Sequence, residues 1–303
     1  MAKYIISGYI GFDNFGDEAI ARVLVNNLKS QGVEKITLIS SNPERSQKIH
    51  NVDACGMLKF WKPLKEADIL ISGGGSLLQD VTSFKSLLYY LGVITCALLL
   101  KKEVIIFSQG IGPIKSKLGQ LLTRFILKRC TKISVRDKKS QELLKSWNIE
   151  SVLVEDPIFY LDLPQKNQKG IIGIQLRDCP ALTFGFLKLL AKSLIEEYPS
   201  KGFQIISFQD NKDLATCKKF ASLLYEAGAN AVEVISQLTI DDAIDKISNL
   251  EVLYAMRFHA NVLGIKSGVK TIAINYDPKV EKLAKQYNLP LIEISQNDFE
   301  LPI

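Results

Sequence analysis

Short apolar runs alternate with longer amphipathic stretches along nearly the whole chain. The short runs match buried β-strands, and the stretches between them carry apolar residues at helical spacing. Strands that alternate with helices in this way form βαβ units around a parallel sheet, so we expect an α/β fold. The predicted strands span residues 4–7, 35–40, 69–72, 104–108 and 133–135 in the first half, and 171–175, 204–208, 232–235, 252–256 and 271–275 in the second.

A polar, proline-containing segment at 162–169 interrupts this alternation and is typical of a linker. The 303 residues are enough for two domains, each with its own core. We therefore predict two Rossmann-like domains that face each other across a cleft. Residues 1–165 form the N-terminal domain in this interpretation, and residues 166–303 form the C-terminal domain.

The composition adds bounds on partners and location. The net charge of +6 is compatible with anionic small molecules, an anionic membrane face or nucleic acid as partners. Because no run of Lys and Arg carries interleaved aromatic residues, we expect no nucleic-acid partner. Five scattered cysteines without a C-x-x-C pair predict reduced thiols, and no cluster predicts a metal site. The first residues have the pattern of a strand and not of a signal peptide, so we expect a cytoplasmic protein. The apolar stretch 87–100 is too short to span a bilayer, so we expect it to form a buried helix.

A basic segment at 114–132 carries leucines at helical spacing. Two interpretations fit this pattern. The helix lies peripherally on the inner surface of the cytoplasmic membrane, or it presents a solvated amphipathic face.

The most suggestive chemistry lies where the predicted strand 252–256 gives way to a helical pattern. Arg257 and His259 occupy this junction. In open α/β sheets the rim beyond the strand ends is where ligands bind, because N–H groups at the start of a helix converge on an anion there. The alternative is that the two residues form a surface pair that caps the helix. The second histidine, His50, belongs to no motif and is expected at the surface.

Glycine-rich exits from three strands supply further candidates. Gly73, Gly74 and Gly75 follow a strand and precede Ser76, which makes a plausible cradle for phosphate or carboxylate; the alternative is simple packing of a tight turn. This sequence is neither G-x-G-x-x-G nor a Walker A motif, so no dinucleotide or nucleoside triphosphate is indicated. In the early loop 8–18, Asp13 and Asn14 could hydrogen-bond sugar hydroxyls, whereas helix capping explains Asp17 just as well. The segment 108–113 is another glycine-rich exit from a strand toward the same rim.

Cations also follow several strands. Arg136 ends a strand where it could grip a carboxylate, or instead pair locally with Asp137. Arg177 ends another strand in a similar way. Lys279 follows the strand next to the Arg257/His259 unit, and neighbouring strand exits lie side by side, so it could share one pocket with His259.

As an ordered set, these motifs resemble the polysaccharide pyruvyl transferases, and within them the CsaB type. The matching stretches are residues 8–20, 72–80, 108–113, 134–137, 156–159 and 256–259. The resemblance implies a GT-B-like fold and transfer of a pyruvyl group from phosphoenolpyruvate to a sugar as a ketal, with release of phosphate. For the CsaB type it implies N-acetylmannosamine of a lipid-linked cell-wall polysaccharide precursor as the acceptor, and no cofactor or metal.

Carried over by position, the resemblance places the catalytic residue at His259. Ketal formation requires protonation of C3 of the enol ether, which opens C2 to a sugar hydroxyl, and we expect the bound anion to favour the charged imidazole. The expected phosphoenolpyruvate-binding residues are Arg136, Arg257, Lys279, Gly73, Gly74, Gly75 and Ser76. The expected acceptor-binding residues are Asp13, Asn14, Asp80 and Gln109. Two alternatives remain open: a GT-B-like glycosyltransferase that uses a nucleotide sugar, and a non-catalytic sugar- or phosphate-binding relative.

Overall fold

The computed structural model describes residues 2–163, 170–294 and 301. The chain divides into two compact units, Met1–Leu161 and Asp162–Ile303. The predicted boundary at residue 165 lies outside the described residues.

Unit 1 contains a seven-stranded parallel sheet in the order β3-β2-β1-β4-β5-β6-β7. Its strands are β1 (Tyr4–Ser7), β2 (Ile36–Ser40), β3 (Asp53–Gly56), β4 (Ile69–Gly73), β5 (Glu103–Gln109), β6 (Lys132–Val135) and β7 (Val152–Leu153). Its helices are α1 (Phe15–Ser30), α2 (Pro43–His50), α3 (Trp61–Glu66), α4 (Phe84–Leu99), α5 (Lys117–Leu127) and α6 (Lys138–Ser146), followed by a short 3-10 helix (Pro157–Tyr160).

Unit 2 contains a six-stranded parallel sheet in the order β10-β9-β8-β11-β12-β13. Its strands are β8 (Ile171–Gln175), β9 (Gly202–Ile206), β10 (Val232–Ile235), β11 (Val252–Ala255), β12 (Lys270–Asn275) and β13 (Leu291–Glu293). Its helices are α7 (Phe184–Glu197), α8 (Asp210–Glu226), α9 (Ile240–Ser248), α10 (Phe258–Ser267) and α11 (Pro278–Tyr287).

The strand order reverses inside each sheet. In unit 1 the chain winds outward from β1 to β2 and β3, then returns to β4 on the other side of β1. In unit 2 the same reversal separates β8 from β11. At such a point, helices leave the sheet toward opposite faces and open a crevice beyond the carboxyl ends of the strands. The residues that follow β1, β4, β8 and β11 are therefore the ones placed for ligand binding.

Burial agrees with the strand and helix predictions, with one correction. The buried helix expected at 87–100 is α4, whose inward face includes Leu87, Leu91 and Ile94. His50 is not at the surface: it is buried at the end of α2, and its Nε2 lies 2.8 Å from Glu18 Oε2 of α1. Among the described residues, no helix has the length and apolarity to cross a bilayer.

Candidate functional site

Arg257 stands between β11 and α10, at the N-cap position of the helix. Its side chain is turned inward rather than forming a surface pair. Nε donates to Asp213 Oδ2 at 2.7 Å and Nη2 donates to Asp213 Oδ1 at 2.8 Å. The backbone N–H of Arg257 donates to Gln175 Oε1 at 2.7 Å. Because both members of the ion pair are buried, the charge of Arg257 is balanced inside unit 2, and the pair fixes the junction from which α10 starts.

His259 is the second residue of α10 and is half-buried. Its ring makes an edge contact with Phe258, with ring centroids 5.3 Å apart. The side chain of Arg257 does not cap the start of α10, and the N–H of Ala260 in the first turn donates to the carbonyl of Arg257 at 3.1 Å. The amide of Asn261 donates to the carbonyls of Ala255 and Arg257 and holds this turn against β11. The arrangement carries an imidazole on a rigid, electropositive helix start.

Lys279 lies in the first turn of α11, which follows β12. Its Nζ is 3.9 Å from Asp277 Oδ2, and its backbone N–H donates to Asp277 Oδ1 at 3.0 Å. Since β11 and β12 are neighbours in the sheet, Lys279 and His259 belong to adjacent helix starts at one sheet edge. The predicted sharing of one pocket stays a prediction.

The same edge carries Arg177 and Tyr276. Arg177 follows β8, and its Nη1 donates to Tyr276 Oη at 2.8 Å. Its guanidinium carbon lies 5.1 Å from the centroid of the Tyr276 ring. Burial raises the pKa of Tyr276, although the neighbouring guanidinium opposes that shift. Sequence reasoning noted Arg177 only as a strand-end cation, and Tyr276 carried no motif signal.

In unit 1, the three glycines after β4 pack tightly against α1. A Cβ on Gly74 would lie 2.1 Å from Ile20 Cγ2, and a Cβ on Gly75 would lie 2.6 Å from Asp17 Oδ1. Both residues have positive φ, +60° and +70°. The N–H of Gly74 donates to the carbonyl of Phe107 at 2.8 Å, so this amide is not a free donor for phosphate. Packing against α1 therefore explains why position 74 is a glycine. The hydrogen bonds that this turn is predicted to donate to an anion are left to its other amides and to Ser76.

Arg136 pairs with Asp156 rather than with the adjacent Asp137, which was the alternative raised by the sequence. Nη1 donates to Asp156 Oδ2 at 2.6 Å, and Nη2 donates to Ser76 Oγ at 3.0 Å. Asp137 caps α6 by accepting from Ser140 N at 2.9 Å. A Cβ on Gly110 would lie 2.8 Å from Ser76 Oγ, so this glycine leaves room for the contact between Arg136 and Ser76.

The expected acceptor-binding residues are largely occupied by the fold. Asn14 caps α1 and hydrogen-bonds Asp17, and Asp13 pairs with Arg45. Asp80 accepts from two backbone amides just before or at the start of α5, which lowers its pKa.

Gln109 requires a correction. Its side chain is fully buried and its amide donates to Ser72 Oγ at 2.8 Å, so it does not lie on a surface that a saccharide reaches. The strand-exit pattern could not reveal this, because the side chain of the last residue in a strand points to either face of the sheet.

Sequence reasoning also missed the two buried acids, Asp156 and Asp213, that neutralise the predicted arginines. Asp156 belongs to a stretch that carries the family resemblance, and this is the sequence signal that could have marked it as a site residue. Among the described residues, no three histidine, cysteine, aspartate or glutamate side chains are grouped in a way that would hold a metal ion.

Comparison with known proteins identifies the family. The model described as "Polysaccharide pyruvyl transferase" matches residues 14–278, so this chain belongs to the polysaccharide pyruvyl transferase family. The amylovoran biosynthesis protein AmsJ of Erwinia amylovora is 24% identical over 268 residues, which cover 77% of this chain and 62% of AmsJ. The chain thus spans less than two thirds of the length of that relative. The family prediction is confirmed, and the CsaB type stays a prediction.

Solved structures with similar folds confirm the fold class. S. aureus MnaA, in a co-structure with UDP, aligns with a TM-score of 0.69 at 10% identity, covering 98% of this chain and 86% of that one. Anabaena Alr3699/HepE, in complex with UDP and glucose, aligns with a TM-score of 0.64 at 11% identity, covering 98% and 87%. At such identities the likeness shows the fold alone, which is GT-B-like with two Rossmann-like domains.

Proposed function

We propose that this protein transfers the pyruvyl group of phosphoenolpyruvate to a saccharide as a ketal and releases phosphate. The observation that carries the proposal is the position of His259, on the first turn of a helix whose start is fixed by a buried ion pair. An imidazole in that position can exchange a proton with an anion bound at the helix start. Membership of the pyruvyl transferase family supports the same reaction class.

The proposed chemistry begins with proton transfer from the charged imidazole of His259 to C3 of phosphoenolpyruvate. C2 becomes cationic, and a sugar hydroxyl adds to C2 and returns its proton to the imidazole. The bond from C2 to the phosphate oxygen then breaks, and phosphate leaves with the bonding electrons. A second hydroxyl of the sugar adds to C2, loses its proton to the departing phosphate and closes the ketal. No redox step occurs, and none of these steps needs a metal or an organic cofactor.

Substitution of His259 by glutamine tests this role. We expect phosphate release to fall by about 10²–10⁴-fold, because a positioned acid contributes that factor, while phosphoenolpyruvate still binds. The matched control is Lys192→Gln on α7, an exposed residue with an i,i+4 partner, which should leave turnover unchanged. Wild-type turnover in His259→Gln would remove the imidazole from the mechanism.

Residues near His259 in unit 2 are proposed to supply the remaining contacts to phosphoenolpyruvate. Lys279 supplies a flexible cation next to the α10 start, and lysine keeps the charge that an arginine would bring without its bidentate fork. Arg136 and Ser76, at the strand ends of unit 1, stay predicted anion-binding residues. Arg257 is assigned a positioning role, because its guanidinium is already committed to Asp213.

The proposed acceptor is N-acetylmannosamine of a lipid-linked cell-wall polysaccharide precursor. Its support is the resemblance to the CsaB type, and AmsJ is named for amylovoran biosynthesis. The test is incubation with phosphoenolpyruvate and a synthetic lipid-linked N-acetylmannosaminyl disaccharide, followed by mass spectrometry for the added pyruvyl group. Transfer to other saccharides but not to this one would change the acceptor and leave the reaction class in place.

A nucleotide-sugar glycosyltransferase is the second candidate, because MnaA and HepE were solved with UDP. Thermal stabilisation separates the two. Stabilisation by phosphoenolpyruvate and not by UDP-sugars favours pyruvyl transfer, whereas the reverse favours glycosyl transfer. Binding of either donor without turnover on any offered acceptor would favour a non-catalytic relative.

We also propose that α5 rests on an anionic membrane surface, which is where a lipid-linked acceptor resides. Three large apolar side chains of this helix face solvent: Leu118 is 55% exposed, Leu121 is 63% exposed and Phe125 is 57% exposed. Between Asp80 and Asp137 the sequence contains a single acid, Glu103, and ten lysines and arginines. An excess of positive charge in this part of the chain favours an anionic lipid surface.

Vesicle flotation tests the membrane contact. The protein should float with vesicles that contain phosphatidylglycerol, and binding should weaken in pure phosphatidylcholine and at high salt. The triple variant Leu118→Ser/Leu121→Ser/Phe125→Ser should stay in solution. A control that changes two other exposed apolar residues, Leu58→Ser/Phe184→Ser, should float like the wild type. Equal flotation of both variants would refute the assignment of α5.

A further inference from the structure

Arg177 and Tyr276 together span the end of β11. Arg177 follows β8, and its backbone N–H donates to Met256 Sδ at 3.2 Å, which places it beside the end of β11. Tyr276 directly follows β12 and accepts from Arg177 Nη1 at 2.8 Å. Because β11 lies between β8 and β12, the two side chains meet across the strand end from which α10 begins. His259 lies in the first turn of that helix.

The two arginines at this sheet edge differ in how their charges are balanced. Arg257 is buried and shares two charge-assisted hydrogen bonds with the carboxylate of Asp213. Arg177 is half-buried, and within the part of the chain that the structure describes its guanidinium forms no ion pair; its side-chain hydrogen bond goes to the phenol of Tyr276. Of these two arginines, Arg177 is therefore the one whose guanidinium is not hydrogen-bonded to a carboxylate, although Asp213 and Asp277 are near enough to contribute to the rise in its pKa.

The hydrogen-bond donors that Arg177 and Tyr276 do not use on each other suit an oxyanion ligand. The oxygen of Tyr276 accepts from Arg177, so the O–H of Tyr276 remains free to donate elsewhere. The other N–H groups of the Arg177 fork remain as well. The N-terminal turn of α10 follows β11 at the same edge and adds the partial positive charge of a helix start. A guanidinium fork, a hydroxyl and a helix start together provide the donors by which proteins bind carboxylate and phosphate.

We infer that Arg177, supported by Tyr276, binds an anionic group of the donor, either the phosphate or the carboxylate of phosphoenolpyruvate. The identity of that donor rests on the proposed function; the anion site itself does not. In this assignment Arg177 contacts the ligand, whereas Arg257 holds the helix start that presents His259. The family resemblance had placed the donor contact on Arg257 instead.

Calorimetric titration of the full chain with phosphoenolpyruvate tests the inference. Arg177→Gln should weaken binding by about 10- to 100-fold, the effect of losing hydrogen bonds to a charged group. Arg177→Lys should be intermediate, because the charge stays and the fork is lost. Tyr276→Phe should weaken binding by about 3- to 10-fold, the effect of one neutral hydrogen bond. Lys192→Gln, which removes one positive charge elsewhere in unit 2, is the control and should bind like the wild type.

Parallel titrations with inorganic phosphate, pyruvate and UDP separate the outcomes. Loss of phosphate binding in Arg177→Gln assigns the residue to the phosphoryl group, and loss of pyruvate binding assigns it to the carboxylate. Loss of UDP binding, when the wild type binds UDP and not phosphoenolpyruvate, keeps the anion site and overturns the proposed donor. Equal binding by Arg177→Gln and wild type, with equal thermal stability, overturns the inference. A wild type that binds none of the four anions overturns both.

Discussion

Replacement of Asp213 by asparagine should be one of the most destabilising isosteric changes in unit 2. Asp213 is fully buried on α8, and both of its carboxylate oxygens accept from the buried guanidinium of Arg257. Asparagine keeps the shape but puts an amide N–H₂ against one of those donors. The guanidinium would then stay buried without a counter-charge.

The size of the effect follows from that burial. Removal of one partner from a buried ion pair costs about 3–5 kcal/mol, whereas an exposed pair would contribute about 0–1 kcal/mol. For a domain of this size, such a loss lowers the Tm by roughly 10–20 °C. The control is Asp210→Asn on the same helix, which removes the same charge from a half-exposed residue that accepts one backbone hydrogen bond, from Gln237. This control should cost about 1 kcal/mol.

Urea unfolding of both variants, followed by circular dichroism, measures the difference. A second comparison uses the double variant Asp213→Leu/Arg257→Met, which removes both charges and should be more stable than Asp213→Leu alone. If Asp213→Asn and Asp210→Asn differ by less than about 1 kcal/mol, Arg257 finds another partner or solvent, and the positioning role assigned to the pair is refuted.

Two further predictions concern packing and pH. Gly74→Ala should destabilise unit 1 by about 1–3 kcal/mol in a thermal melt, because the added Cβ would lie 2.1 Å from a side chain of α1. The control is Gly92→Ala inside α4, where nothing lies within 4 Å of the added Cβ, and it should be neutral or stabilising. Burial raises the pKa of the Cys217 thiol from 9.0 to about 12. Below pH 9 this thiol is protonated in both the folded and the unfolded chain, and above pH 9 only the unfolded chain loses its proton, so the free energy of unfolding should fall with rising pH. Cys217→Ala should show a shallower decline between pH 9 and 10.5, and identical slopes would contradict the predicted burial of this thiol.

The central strands of both sheets were predictable because their apolar runs are continuous. Strands β1, β8 and β10 match their predicted bounds, and the other predicted strands agree to within about two residues. The strands missed at the sheet edges, β3, β7 and β13, are short and largely exposed or half-buried, so they lack the apolar run that a buried strand needs.

The candidate site was predictable in its position and less so in its contacts. Strand-end cations and the imidazole could be found because parallel strands place their carboxyl ends at one edge. The partner of Arg257 lies 44 residues earlier in the chain and that of Arg136 lies 20 residues later. Such pairings depend on how helices pack, which local periodicity does not encode. The same limit explains why His50 was expected at the surface.

The two hydrogen bonds that Asp80 accepts tie two segments of unit 1 together. Its carboxylate accepts from Lys115 N at 2.7 Å and from Ser116 N at 2.8 Å, and Ser116 caps α5. The segment that follows the glycine turn after β4 is thereby stapled to the beginning of α5. The two cannot slide past each other unless both hydrogen bonds break. A displacement of the start of α5 would therefore carry Asp80 with it, and with Asp80 the segment that leads back to the glycine turn.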